Sequence, residues 1–280
     1  QPAPLVAVVL GRRRRGGGGF TPAAAQAPAA LAAERQLHLG VGGMQMRIGK
    51  TLRPEQRAQQ RQRVVFGQVA RFVAPLVAMD QAQLRLPAQF DASRFVAEQF
   101  EATSRDGTRV PYFLVSKKGL VRDGNNPTLL YGYGGFQNAL VPGYSAGPGR
   151  NWIAEGGIYV IANIRGGGEY GPTWHTQTQK AGRHKVYEDF SSVARDLVAK
   201  GLTTVAQLGA MGGSNGGLLM GVMLTRYPEL FGALVCQVPL NDMRRYHTML
   251  AGASWVAEYG NPDDPEEWAF IEPFSPYQNV

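Results

Sequence analysis

The sequence predicts an α/β fold with a mostly parallel sheet that opens on an antiparallel hairpin. Three observations carry that prediction. From about residue 90 onward, short apolar runs alternate with runs of helical period. A strand-turn-strand pattern comes first, and glycine-rich turns follow several of the apolar runs, as sharp strand exits require.

Taken in order, "EQFEATSRDGTRVPYFLVS" reads as two strands around the turn pair Asp106-Gly107. "NPTLLYGYGGF" is a short apolar strand entering a glycine-rich turn, and "GGIYVIANIRGGGEYG" repeats that plan. In "YEDFSSVARDLVAKG", Phe190, Val193, Ala194, Leu197 and Val198 recur at helical spacing, with Asp189 near the start and Gly201 as the stop. "LGAMGGSNGG" is a strand and sharp turn, "LLMGVMLTRYPELF" an amphipathic helix, and "GALVCQVPL" one more buried strand. This alternation predicts a sheet covered on both faces. The one cysteine, Cys236, falls in that last run, which makes it a buried core thiol and excludes an internal disulfide.

The net charge of +8 is unevenly spread. Residues 1–80 hold 12 Lys+Arg against 3 Asp+Glu, whereas residues 81–280 hold 17 against 18. The larger part therefore gives no electrostatic reason to expect nucleic acid or a membrane as partner. Residues 1–80 contain "RRRRGGGG", "TPAAAQAPAALAAE" and "RPEQRAQQRQR", with few aromatics to anchor a core. They read as a basic, poorly structured leader with a short helix over 23–36, as a misread coding frame, or as a basic arm for nucleic acid in a non-enzymatic binder. No apolar stretch has the length needed to span a bilayer, and the opening arginines follow the apolar run, the wrong order for a secretory signal. No compartment is readable.

The chemistry concentrates at "GAMGGSNGGLLM", where Gly212-Gly213-Ser214-Asn215-Gly216 satisfies G-x-S-x-G between a strand and a helix. That pattern sets a serine on a strained turn at the tip of a strand, with the following helix aiming its N-terminus at a developing oxyanion. "YGYGGF", residues 131–136, has the glycine content of a loop supplying a second oxyanion donor; the alternative is a tyrosine-flanked turn packed on the core. Gly166 to Gly171 matches G-x-G-x-x-G, a nicotinamide-dinucleotide fingerprint, but Pro172 and Trp174 interrupt the helix which that fingerprint must open. No cofactor and no metal site is expected.

Together, "LLYGYGGF", "ANIRGGGEYGPTWH", "GGSNGGLL", "RYPELFGALVCQVPLNDMRRYH" and "ASWVAEYGNP" resemble the catalytic domain of prolyl oligopeptidase family serine peptidases, from about Phe90 to Val280. The resemblance implies an α/β-hydrolase fold and cleavage after proline in short peptides through an acyl-enzyme. It implies Ser214 as nucleophile, with the Asn215 backbone N–H and the Tyr133 hydroxyl as oxyanion donors. It also implies a proline pocket of Phe136, Leu240, Trp255 and Tyr259, and a structural role for Arg165 and Glu169. An esterase or acylaminoacyl-peptidase of the same fold would share the serine but not the aromatic pocket.

The α/β-hydrolase order runs serine, acid, histidine. The one histidine after Ser214 is His247, in "NDMRRYHTMLAG", which reads as a helix. An Asp242–His247 pair is implausible as acid and base, and His175 and His184 match positions that are not the base. The acid, the base and the family's β-propeller are therefore expected to be missing. The chain reads as an incomplete, inactive portion of a peptidase with an open sheet edge where the last strands would pair. No obligate protein partner is inferred.

Overall fold

The first regular strand beyond residue 90, β2 (Phe95–Thr103), pairs antiparallel with β3 (Arg109–Lys117) from Phe95↔Lys117 to Thr103↔Arg109. The Asp106-Gly107 signal marks their turn. Gly107 has φ 85°, and Asp106 accepts from the Thr108 N–H at 3.1 Å, closing a connection over residues 104–108. The structure is a computed structural model that describes residues 7–11, 90–141 and 143–280, all within one unit. Every reading made of residues 1–80 other than 7–11 lies outside the described residues.

The remaining strands are β1 (Ala7–Gly11), β4 (Thr128–Tyr131), β5 (Ile158–Ala162), β6 (Leu208–Gly213) and β7 (Ala233–Gln237). The sheet order is β1-β7-β6-β4-β5-β3-β2. β5, β4, β6 and β7 run parallel, while β3 joins β5 antiparallel. The α/β fold with an antiparallel start is as the sequence predicts. The β7 edge, expected to be open, is paired instead: β1 lies antiparallel along it, with Ala7 opposite Gln237 and Gly11 opposite Ala233.

Helices α1 (Pro172–Thr176), α2 (His184–Ala199), α3 (Asn215–Arg226), α4 (Val256–Tyr259) and α5 (Pro265–Ile271) connect the strands or follow them. α2 and α3 share one face of the sheet, since Phe190 and Leu219 both press on Gly132 at the end of β4. Of the stripe its spacing foretold, α2 buries Phe190, Val193, Ala194 and Leu197, while Val198 is only partly buried; Val186 joins them in the core. α2 nevertheless begins five residues before Asp189, which sits buried within it. α3 is not amphipathic as expected: Asn215 through Met223 are all buried, because α3 packs on β6 and β7 and meets α2. On the opposite face the described residues provide no long helix. There Tyr144, Pro148 and Ile153 lie across Phe113, Val115, Tyr159 and Ile161 around an apolar cavity of about 290 Å³.

An ion cluster centred on buried Arg165 and Asp189 ties the hairpin turn, the β5 exit and α2 together, with exposed Asp106 at its rim. Arg165 and Asp189 are 1% and 0% exposed at their side chains. Arg165 donates Nε to Asp189 Oδ2 at 2.8 Å and Nη2 to Asp189 Oδ1 at 2.6 Å, and it also reaches Asp106 Oδ2 at 2.5 Å. Ser104 Oγ donates to Asp189 Oδ1 at 2.6 Å, which completes the lone pairs. Glu169 takes up the neighbouring loop, accepting from the Leu140 N–H at 2.8 Å.

Removing one partner of such a pair strands a charge. Asp189→Ala is therefore expected to lower the unfolding free energy by about 3–5 kcal/mol, measured as a denaturant midpoint shift; an unchanged midpoint would contradict the cluster's role. The hydrogen bond from Arg165 is the main reason that the Asp106 carboxyl is held well below the usual carboxylate range. A depressed folded-state value contributes stability above the unfolded value, near pH 4, that is lost as pH falls below it. Urea midpoints taken down a pH series should accordingly fall more steeply below about pH 4 in the unaltered chain than in Asp106→Asn.

Candidate active site

Between the last residue of β6 and the first of α3, Ser214 takes φ 56° and ψ −116°, a left-handed conformation that costs a non-glycine residue about 1–3 kcal/mol. Backbone hydrogen bonds hold it there. The Ser214 N–H donates to Gln237 O at 3.0 Å, and its carbonyl accepts from the N–H groups of Gly217 and Leu218 at 2.8 and 3.1 Å. Glycine is required on both sides by contact. A Cβ on Gly212 would stand 2.3 Å from Gly216 O, and one on Gly216 would stand 2.6 Å from Gly132 O. The result is an exposed serine at the carboxyl end of a parallel strand, with the first turn of α3 directly beneath it.

Ser214 lines a cavity of about 140 Å³ together with Tyr133, Phe136, Leu240, Trp255 and Tyr259. These six come from separate parts of the chain. Tyr133 and Phe136 lie in the loop after β4, Leu240 in the segment after β7, Trp255 just before α4, and Tyr259 at its end. Phe136 meets Tyr259 edge-on at 5.6 Å between centroids and Trp255 at 6.5 Å. The rings make an apolar slot closed at one side by a hydroxyl-bearing strand tip. All the residues predicted for the pocket lie together here, and Asn215 follows Ser214 into α3.

The side chain of Asn215 does more than the sequence suggested. It is buried, its Nδ2 donates to Tyr133 O at 2.5 Å, and its Oδ1 accepts from the Tyr259 hydroxyl at 2.7 Å and from Arg183. Burial drives the Tyr259 hydroxyl well above its ordinary pKa, so it remains a neutral donor. Sequence reasoning missed Arg183, Glu258 and His175, which meet beneath the pocket: Glu258 Oε1 accepts from Arg183 at 2.8 Å, and Oε2 lies 2.6 Å from His175 Nε2. Arg183 lies outside the quoted motifs, and although His175 and Glu258 fall within two of them, nothing in the spacing of the three marks them as buried.

No described histidine bonds to the Ser214 hydroxyl. His175 is engaged with Glu258, His184 faces Ala181 O at 3.0 Å, and His247 pairs with Asp263 at 2.8 Å. Asp242 pairs with Arg245, so Asp242 and His247 are not partners. The helix expected over 241–252 is absent: a 3-10 turn, Tyr246–Thr248, stands there, tethered by the Tyr246 hydroxyl to Gly260 O and by Arg244 to Pro262 O. The loop at Gly166 to Gly171 is closed by its own chain, with Gly166 N–H donating to Trp174 O and Gly171 N–H to Gly168 O. It leads into the five-residue α1, not into a helix that could receive a dinucleotide.

Comparison with known proteins agrees with this layout. The chain is 58% identical over 194 residues to an uncharacterized peptidase of Sinorhizobium fredii, covering 69% of this chain and 27% of that protein. It is 41% identical over 193 residues to a prolyl endopeptidase of Elizabethkingia miricola, with coverage of 69% and 27%. Among solved structures, a post-proline cleaving enzyme from Rickettsia typhi superposes with a TM-score of 0.67 at 49% identity, over 68% of this chain and 28% of that one. The chain thus spans about a quarter of the length of the curated relatives it matches. Residues 149–280 match the model of the prolyl oligopeptidase family. The matched segment carries the serine elbow and strands β5, β6 and β7 of the sheet that presents it.

Proposed function

We propose that the chain is the serine-bearing part of a peptidase that cleaves on the carboxyl side of proline in short peptides. The observation that carries this reading is the single cavity in which a strained, exposed Ser214 shares walls with Phe136, Trp255 and Tyr259. A proline residue offers no N–H to recognise. Affinity for it must come from apolar area and ring stacking, and an aromatic slot supplies both.

In this reading the Ser214 hydroxyl attacks the carbonyl carbon of the prolyl residue while its proton passes to a base. The carbonyl oxygen becomes an oxyanion, taken by the Asn215 backbone N–H and the Tyr133 hydroxyl, with the N-terminal dipole of α3 behind them. Collapse of that intermediate expels the amine and leaves a prolyl ester on Ser214, which water then hydrolyses. No described histidine bonds to the Ser214 hydroxyl as its base, so the 280 residues alone are proposed to be inactive. Loss of the triad serine or histidine costs on the order of a millionfold in rate.

Two measurements test the proposal. A fluorophosphonate serine probe should leave Ser214 essentially unlabelled in this chain and label it in a version extended through the genomic reading frame; strong labelling of the 280-residue chain would show that a base is already present. In the extended version, Trp255→Ala should raise KM for a Gly-Pro-linked chromogenic substrate about tenfold, the equivalent of losing one stacked ring. Equal cleavage of Pro-linked, Ala-linked and simple ester substrates would favour a general esterase instead.

A further inference from the structure

Glu258 is 3% exposed, and none of the chemistry proposed above uses it. A carboxylate taken out of water is costly unless its lone pairs are met. Oε1 accepts from the Phe136 backbone N–H at 3.0 Å as well as from Arg183, while Oε2 faces His175. Arg183, 1% exposed, relays the connection: its second terminal nitrogen donates to Asn215 Oδ1, and Asn215 in turn donates to Tyr133 O. One carboxylate is thereby tied directly to the backbone of a pocket wall. Through one guanidinium it is also tied to both residues assigned to the oxyanion.

The point of attachment is informative. Phe136 and Gln137 are consecutive non-glycine residues at φ 55°, and each has its N–H captured, Phe136 by Glu258 and Gln137 by Gly166 O at 3.1 Å. Such backbone persists only where its surroundings over-determine it, and it concentrates at functional sites. Stability alone gives little reason for the charge, because well-packed apolar residues of similar volume often replace buried ion pairs without loss. The bond holds the backbone from which the Phe136 ring meets Trp255 and Tyr259 edge-on.

We propose that Glu258 is a positioning residue for specificity: by clamping Phe136 in the left-handed conformation, it shapes the slot to the proline ring and, through Arg183, sets Asn215 and Tyr133. This rests on reading the cavity as a proline site. Glu258→Asp keeps the charge but retracts it by one methylene from the Phe136 N–H. Glu258→Gln keeps the length and one acceptor oxygen.

The experiment uses the 280-residue chain and does not need turnover. Amide exchange at Phe136 is read alongside binding of benzyloxycarbonyl-Gly-Pro and benzyloxycarbonyl-Gly-Ala, followed by tryptophan fluorescence with Trp255→Phe as the control for signal. In Glu258→Asp, protection of the Phe136 amide should fall about 10- to 100-fold, the loss of one hydrogen bond to a charged group, while amides of β5 and β6 keep theirs. The preference for Gly-Pro over Gly-Ala should shrink about tenfold in the same variant, and Glu258→Gln should restore part of both. Phe136 protection unchanged in Glu258→Asp, or a loss spread evenly over β5 and β6, would overturn the positioning role. Failure of the unaltered chain to bind the prolyl ligand would sink the proline reading instead, with the Phe136 exchange still deciding whether Glu258 holds the loop.

Discussion

Backbone meets backbone without any intervening side chain where β6, α3 and the loop after β4 converge. Gly212 lies under the carbonyl of Gly216, and Gly216 lies under the carbonyl of Gly132. The left-handed turn at Ser214 fits only because those positions lack a Cβ, and everything at the site inherits its geometry from that contact. The strand tip lifts Ser214 clear of the sheet, α3 points its free N–H groups toward the same space, and the Tyr133 loop comes close enough for Asn215 to hold its carbonyl. Without this approach the serine would be an ordinary turn residue, and the cavity would lose one wall.

Two polar clusters, each built around a buried guanidinium, divide the remaining work. Arg165 with Asp189, Asp106 and Ser104 fastens the hairpin and the β5 exit to α2, away from the cavity. Glu258 with Arg183, His175 and Asn215 lies directly beneath the aromatic slot and touches the backbone of two of its lining residues, Phe136 by its own bond and Tyr133 through Asn215. Both clusters place a guanidinium out of water: Arg165 meets acceptors through Nε and both terminal nitrogens, while Arg183 does so through its two terminal nitrogens and its Nε has no partner among the described residues. These bonds make each cluster rigid. In the first the rigidity serves the fold, and in the second it serves the direction of side chains around Ser214.

The strands were legible because apolar runs ended by glycine leave little alternative, and the elbow was legible because its residue types answer a steric demand. The errors have local causes. Asp189 looks like a helix-start residue, but it is drawn into the core by Arg165, and α2 begins upstream at His184. The segment containing Met243 and Tyr246 has helical spacing, yet tethers to Gly260 and Pro262 hold it as a short 3-10 turn. α3 was read as amphipathic, whereas α2, β6 and β7 surround it. Glu258 and Arg183 were invisible because burial of a charge depends on partners far apart in sequence, 75 residues in their case. The pairing of β1 with β7 could not be foreseen from a strand of five residues.

The central claim is that the cavity beside Ser214 receives a proline ring. A crystal structure of the Ser214→Ala chain with a Gly-Pro dipeptide tests it most directly. The account predicts the pyrrolidine ring inside the cavity, stacked on Trp255 and walled by Phe136, with the prolyl carbonyl oxygen turned toward the Asn215 N–H and the Tyr133 hydroxyl. A dipeptide seated in the larger apolar cavity against Phe113 and Tyr159, or a prolyl ring pointing away from Trp255, would contradict it.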